Sequence, residues 1–320
     1  MAILIRPGKR VKKAKSKDAQ EVLDRLEKYL NSEAMDEPIR VLCGFWEDQQ
    51  NAITYQELRE AVKNGTITEE TFRLWAQDYS VLVSNELSKM WLAGMEAGSL
   101  GPTIMDAIAG EFVFNTQAPG IFAWINERGA EFVTSVTMEQ REAISALLSK
   151  KMIESHTVDE LSRLIRPCIG LTKGQAQANA RYYDSIVKNL TKEHPRMSKE
   201  SIRKKALDAS TKYAERQHRQ RAMDIAQTES AFAYNRGADE GVRQAQSQNL
   251  IGKTVKRWST SGDDGVCEIC QALEGIEVGM DDDFQFKGRV LFAGQHMLPP
   301  AHPRCACAIE YIEISPPVFH

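Results

Sequence analysis

The sequence predicts a mainly α-helical (α+β) protein whose C-terminal part is a small β-containing module. Two observations predict it. Apolar residues recur at three- and four-residue intervals through most of the chain up to about residue 250, and short β-rich runs follow after Gly252. With 320 residues the chain is longer than one hydrophobic core usually fills, so we expect more than one domain.

Composition and charge exclude several classes of protein. Hydrophobic residues make up 42% and charged residues 27%, which excludes a mostly disordered chain. The net charge of −3 excludes a polybasic nucleic-acid coat, and no apolar run is long enough to cross a bilayer. In a secretory signal, basic residues precede an apolar stretch, whereas here the apolar residues come first. We therefore expect the protein to remain in a reducing compartment, where cysteines are thiols or metal ligands.

Residues 1–17 are the first of four predicted regions, a basic flexible arm. They carry seven positive charges and no acid, and like charges this close repel one another. Such an arm either keeps the protein soluble or contacts phosphate groups. Its candidate phosphate contacts are Lys9, Arg10, Lys12, Lys13, Lys15 and Lys17.

Residues 18–120 are predicted to form an N-terminal helical domain. The apolar residues between Val22 and Leu30 lie on one stripe of a first helix. Thr68, followed by two glutamates, has the composition of a helix start. The Gly- and Pro-rich residues 98–120 predict an irregular connection.

Residues 121–250 are predicted to form a central helical domain. Pro195 interrupts the pattern, and residues 198–248 are long enough for one or two long helices. Between residues 181 and 221, twelve basic residues stand against five acids. That excess is typical of a solvated helix face or of a surface for DNA phosphates, and the candidate contacts are Arg203, Lys204, Lys205, Arg216 and Arg219.

Glu229 lies among apolar residues at helical spacing in the same region. A carboxylate on a packed face must be paired, because desolvation of an unpaired charge is costly. Arg221 and Arg236 share roughly its side of the helix, and Glu229, Asn235 and Arg236 are therefore predicted to belong to a structural polar network. The alternative, a catalytic acid, would need a partner base.

Residues 251–320 are predicted to form a small β- and cysteine-rich module. Strands are predicted at residues 254–258, 289–292 and 308–314, with Gly- and Asp-rich turns between them. A module of this size buries too little apolar surface to be more than marginally stable, so it needs a further stabilising element.

Two cysteine pairs in the module predict a structural zinc site. Cys267 and Cys270 have the spacing at which two thiolates converge on one ion, and Cys305 and Cys307 project from one face of an extended segment. His302 is a fifth candidate, as a substitute for either of the last two cysteines or as support behind the ligands.

The alternatives for these cysteines are a disulfide, free buried thiols and a redox Cys-x-x-Cys. Four of the six cysteines lie in this one short module, which favours a metal site. A catalytic zinc needs an open position and an adjacent base, and the sequence has neither His-x-Glu nor His-Glu-x-x-His. A structural zinc is therefore favoured over a catalytic one.

The order of these motifs resembles the head-morphogenesis, or Mu F-like minor head protein, family of tailed bacteriophages. The resemblance covers about residues 130–314. It is carried by the stretches 221–237, 258–264, 266–270, 273–275 and 299–307. Family members usually have a basic residue between the last two cysteines, where this chain has Ala306.

The resemblance implies a non-enzymatic virion component, assembled in the host cytoplasm and bound at the portal vertex inside the capsid. It would act in head assembly, genome packaging or DNA delivery. Its expected partners are the portal protein, the capsid interior or scaffold, and packaged double-stranded DNA, without a membrane. The alternative function is a zinc-dependent, nuclease-like enzyme that uses the cysteine module beside the basic helices.

Overall fold

The structure is a computed structural model that describes residues 15–262, 265–291 and 297–317. The predicted phosphate contacts Lys9, Arg10, Lys12 and Lys13 lie outside the described residues. Within the described ranges the chain is mainly helical with one small C-terminal sheet, which confirms the predicted fold class.

The helices and strands have the following bounds. The helices are α1 (Lys17–Leu30), α2 (Asp36–Ala52), α3 (Tyr55–Asn64), α4 (Glu69–Leu82), α5 (Ser88–Ser99), α6 (Pro119–Leu147), α7 (Lys150–Ser155), α8 (Val158–Ile165), α9 (Lys173–Glu193), α10 (Lys199–Ser247) and α11 (Glu268–Leu273). The strands are β1 (Lys253–Ser259), β2 (Glu277–Gly279) and β3 (Ala308–Ser315). A π-helical turn, Val83–Leu87, joins α4 to α5, and short 3-10 turns occupy Glu33–Met35, Thr103–Ile108 and Arg166–Cys168.

Helix boundaries follow local sequence signals. The Thr68 hydroxyl accepts a hydrogen bond from the Thr71 N–H and caps α4, as the sequence predicts. Pro195 lies between α9 and α10, where it ends the helical pattern. The residues after it form one helix, α10, of 49 residues.

Tertiary contacts divide the chain into two compact units, each built from segments separated along the sequence. The helical unit comprises residues 33–92 and 117–229. Its core contains Trp75 of α4, Ile144 of α6 and Leu161 of α8, and α6 packs on α4 and α9.

The mixed unit comprises the described parts of residues 1–32, 93–116 and 230–320. Its antiparallel sheet has the order β2-β1-β3. The core beside the sheet joins Trp258 of β1 to Ala238 and Val242 of α10 and to Met105. The cysteine-rich module therefore shares its core with the preceding helix α10 and with the turn Thr103–Ile108, which is remote in sequence.

One predicted strand, residues 289–292, is wrong over residues 289–291, and residue 292 lies outside the described residues. Lys287 and Gly288 have φ angles of 51° and 74° and form a tight turn, across which Phe286 and Arg289 exchange both backbone hydrogen bonds, at 3.0 and 3.1 Å. Arg289 forms only this isolated bridge. The neighbour of β1 is instead β2, with Val255 opposite Gly279.

Glycines let α5 and the last part of α10 cross with their backbones in contact. A Cβ atom added at Gly98 would lie 2.0 Å from the Tyr234 carbonyl oxygen, and one at Gly237 would lie 2.1 Å from the Met95 carbonyl oxygen. No side chain fits at these distances, so the crossing depends on glycine at both positions.

Candidate metal centre

The cysteine-rich module brings five sulfur and nitrogen donors together. Cys267, Cys270 and His302 form one group, and Cys270, Cys305 and Cys307 form a second. Within each group all ligand atoms lie within 4.8 Å of one another. Because Cys270 belongs to both groups, the two cysteine pairs meet at one place.

The first pair is shaped by the start of α11. Cys267 is the N-cap residue of this helix, and its sulfur accepts a hydrogen bond from the Cys270 N–H at 3.5 Å. Gly275, with φ 73°, reverses the chain after α11, and its N–H donates to the Trp258 carbonyl at 2.9 Å. The Cys-x-x-Cys turn is therefore anchored to β1.

The second group of donors lies on the segment that enters β3. The Cys305 N–H donates to the His302 carbonyl at 3.1 Å, which closes a turn in which Arg304 has φ 58°. Beyond this turn Cys305 and Cys307 are buried, whereas Ala306 between them is exposed. The alternation places both thiols on one face of the segment.

The separations between the donor atoms fit a zinc-sized ion. The Cys270 sulfur lies 3.6 Å from the Cys305 sulfur and 3.4 Å from the His302 Nε2. Zn–S bonds of about 2.3 Å place the sulfurs of a tetrahedral site about 3.8 Å apart, and a Zn–N bond of about 2.0 Å gives an N···S separation of about 3.5 Å. The cysteines are free thiols, and disulfide sulfurs would lie only about 2.0 Å apart.

The thiols are arranged to stabilise negative charge at the centre. Hydrogen bonds from the Cys270 and Cys307 thiols hold the pKa of Cys305 well below its ordinary value. The same bond to Cys305, together with burial, raises the pKa of Cys270. A divalent cation would displace these shared protons and take their place between the sulfurs.

His302 has the orientation of a metal ligand. Its Nδ1 lies 2.9 Å from the Pro303 carbonyl oxygen. Because a carbonyl oxygen can only accept, Nδ1 carries the proton, and Nε2 presents its lone pair beside the Cys270 sulfur. A hydrogen bond on the far nitrogen is the usual way in which a protein orients a ligating histidine.

Comparison with known proteins identifies the part of the chain that carries this centre. Residues 183–310 match the family model described as Phage Mu protein F like protein. This region is similar to the Mu F-like proteins. This match confirms the resemblance seen in the motifs, and a phage head family implies association with the virion. No curated protein and no solved structure matches the chain.

The Mu F-like region begins within α9 and extends into β3, so it contains all five donors. It also contains the five basic candidates of α10, but none of the six near the N-terminus. No helix in the described ranges is long and apolar enough to span a bilayer.

The basic candidates differ in their surroundings. Lys204, Lys205, Arg216 and Arg219 are exposed on α10, but the Arg203 guanidinium lies 2.7 Å from a Glu160 carboxylate oxygen. Nearer the N-terminus, Lys17 is exposed at the start of α1. The Lys15 ammonium lies 3.8 Å from a carboxylate oxygen of Glu274.

Helical geometry groups four of the basic residues on one face. Lys205, Lys212, Arg216 and Arg219 are spaced at i, i+7, i+11 and i+14, which places them along one line of α10. Small residues such as Ala214 are buried on the opposite face. We call these four residues the basic stripe. Sequence reasoning missed Lys212, which its position on the helical wheel would have revealed.

The polar network predicted around Glu229 has different members in the structure. Glu229 is buried, and its carboxylate accepts two hydrogen bonds from Arg128 of α6, at 2.8 and 2.5 Å. The Trp91 indole donates a third, at 3.2 Å. Sequence reasoning missed Arg128 because it lies 101 residues away and carries no local signal.

The residues expected to pair with Glu229 have other partners. Arg221 forms an ion pair with Glu139 at 2.5 Å, and Arg236 lies 3.5 Å from Glu240. Arg221 is as buried as Glu229, but its guanidinium is held by Glu139 and by the Gly170 carbonyl oxygen. Asn235 instead donates to the carbonyl of residue 307 at 3.3 Å, which ties α10 to the segment that carries Cys305 and Cys307.

Proposed function

We propose that this chain is a minor head protein of a tailed bacteriophage, bound at the portal vertex inside the capsid. There it acts in head assembly, genome packaging or DNA delivery. The single observation that carries the proposal is the Mu F-like match over residues 183–310. The expected protein partners are the portal protein and the capsid interior or scaffold.

Packaged double-stranded DNA is the proposed nucleic-acid partner. The basic stripe supports this, since it presents four positive charges over 14 residues, or about 21 Å, of one exposed helix face. Phosphate contacts of this kind give affinity without sequence preference. The chain has no recognition-helix motif that would read bases.

Zinc is the proposed cofactor, with a structural role. The donor groups contain only cysteines and one histidine, as in closed four-coordinate sites. At this position the ion would hold the Cys-x-x-Cys turn against the segment that enters β3. A nuclease-like enzyme would need an open coordination position and a base beside the ion.

The portal assignment is tested by co-expression with the portal and capsid proteins of a phage that encodes this chain. We expect the chain to co-purify with portal rings and to be present in mature heads at low copy number. If it remains in the cytoplasm while complete heads form, the proposed location is wrong. A phosphodiesterase assay with added zinc or magnesium, run on the same preparation, tests the nuclease alternative.

DNA binding is tested with two matched triple variants. In the first, Lys205→Gln, Lys212→Gln and Arg216→Gln remove charge from the basic stripe. In the second, Lys28→Gln, Lys63→Gln and Lys151→Gln remove the same charge from exposed positions elsewhere. We expect only the stripe variant to flatten the salt dependence of binding to random-sequence duplex, by about 0.9 in log–log slope for each phosphate that is no longer neutralised. Equal reductions in both variants would attribute the effect to net charge.

A further inference from the structure

We propose that the fourth position of the metal centre is shared by two interchangeable ligands, Cys267 and His302. The other three positions belong to Cys270, Cys305 and Cys307. This inference rests on the zinc centre proposed above and specifies its coordination.

Burial separates the five donors into two classes. Cys270, Cys305 and Cys307 are only 1%, 2% and 4% exposed, and their sulfurs form one mutually close group. Three thiolates leave a tetrahedral ion one ligand short. The remaining two donors, Cys267 and His302, are both partly exposed.

Both partly exposed donors approach the centre at Cys270. They form their own group with this residue, and the His302 Nε2 lies 3.4 Å from its sulfur. Since a closed site has room for only one more ligand, the two compete for the same vertex. His302 therefore exchanges with Cys267, not with the cysteines nearest to it in sequence.

Each competing donor also has a local interaction that holds it in place when the other is bound. The Cys267 sulfur accepts the N–H of Cys270 at 3.5 Å, and the His302 Nδ1 donates to the Pro303 carbonyl at 2.9 Å. Neither side chain needs a large movement to enter or leave the coordination position. Exchange changes the ligand set from four sulfurs to three sulfurs and one nitrogen.

The test uses full-length Cys267→Ser, His302→Ala and the double variant, with Cys305→Ser as the control at a buried position. Cobalt(II) is the spectroscopic probe, and zinc stoichiometry is measured by native mass spectrometry. We expect each single variant of the exchanging pair to bind one ion, with its dissociation constant raised about tenfold at most. The double variant and Cys305→Ser should weaken binding about a hundredfold or more.

Spectra identify the ligands directly. Cobalt in Cys267→Ser should have three sulfurs and one nitrogen, whereas His302→Ala should have four sulfurs and stronger thiolate-to-cobalt charge transfer. Far-UV circular dichroism of each metal-free variant establishes that the chain is folded.

If either single variant binds the ion as weakly as the double variant does, the replaced residue is a fixed ligand. That result would overturn the exchange but not the metal centre. If the wild-type chain binds neither cobalt nor zinc, the metal centre under Proposed function also fails. The two failures are therefore distinguishable.

Discussion

At the residue scale, the clearest requirement is the pairing of Glu229. Its carboxylate is 4% exposed and is held by both nitrogens of one edge of the Arg128 guanidinium. Burial by itself would lower the pKa of Arg128, but the charge of Glu229 outweighs it, so the pKa is raised. The two groups therefore depend on each other.

Replacing one member of this pair should strongly destabilise the protein. We expect Glu229→Ala to lower the free energy of unfolding by about 3–5 kcal/mol, because Arg128 would keep a buried charge without its main partner. Replacing both Glu229 and Arg128 by leucine should restore much of the lost free energy of unfolding. Urea denaturation of the single and double variants measures the coupling. Glu37→Ala, in the exposed pair with Arg40, is the control and should have no measurable effect.

His218 makes stability depend on pH. Burial lowers the pKa of this histidine to about 4; the hydrogen bond to the Ile169 carbonyl opposes the shift, and the charge of Arg221 adds to it. The unfolded chain, with an ordinary histidine pKa of about 6.5, then takes up the proton first. The stabilising contribution of the neutral ring is therefore complete above pH 6.5 and is lost as the pH falls toward 4.

We expect His218 to account for a loss of about 3 kcal/mol in the free energy of unfolding as the pH falls from about 6.5 to about 4. Denaturant unfolding of the wild type and of His218→Gln, at pH 7 and at pH 4.5, measures it. The variant should lose less stability on acidification than the wild type does. Parallel losses in the two proteins would assign the acid sensitivity to other groups.

At the scale of elements, the crossing of α5 and α10 depends on the absence of side chains. On α5, Gly94 lies against Ala233 and Gly98 against Tyr234. On α10, Gly237 lies against Met95 and Gly241 against Ser99. The two glycines of each helix are four residues apart, which places them on one helix face. The crossing positions the end of α10, which carries Ala238 and Val242 into the core beside the sheet. Tight helix packing therefore supports the cysteine-rich module.

Gly237→Ala tests this crossing. Its new methyl group would meet the Met95 backbone, so we expect a loss of about 2–3 kcal/mol in the free energy of unfolding. Gly44→Ala is the matched control, because a Cβ atom there meets nothing within 4 Å on α2. It should raise stability by about 0.5–1 kcal/mol. Equal effects of both changes on the thermal midpoint would contradict the close approach of the two backbones.

At the scale of the whole molecule, the cysteine-rich module is part of a larger core. Sequence reasoning treated residues 251–320 as a small module that could not be stable by itself. In the structure, Trp258 and Leu273 share one buried core with apolar side chains of α10 and of the segment 103–112. The ion would therefore organise the ligand loops, while apolar packing holds the sheet.

Removal of the ion should consequently have a local effect. In the zinc-loaded protein treated with a strong chelator, we expect hydrogen exchange to rise at residues 265–275 and 301–307. The far-UV circular dichroism signal of the helices should stay within about 10% of its starting value, since no helix except α11 carries a ligand among the described residues. Cooperative loss of the helical signal on chelation would mean that the ion stabilises the whole unit.

The sequence by itself determined the fold class, the start of α4, the interruption at Pro195, the strands β1 and β3, and the motifs that resemble Mu F-like head proteins. These features depend on interactions within a few residues, such as caps, proline geometry and alternating burial. The weaker signal of β2, three residues long, was lost beside the apolar run at residues 289–292.

Only the tertiary structure decided that Arg128 faces Glu229, that Arg203 is paired while Lys212 is exposed, and that His302 lies beside Cys270. It also decided that α10 and the remote residues 103–112 complete the core of the cysteine-rich module. The physical reason is that such choices depend on packing and desolvation between segments far apart in the chain, where local propensity carries no information.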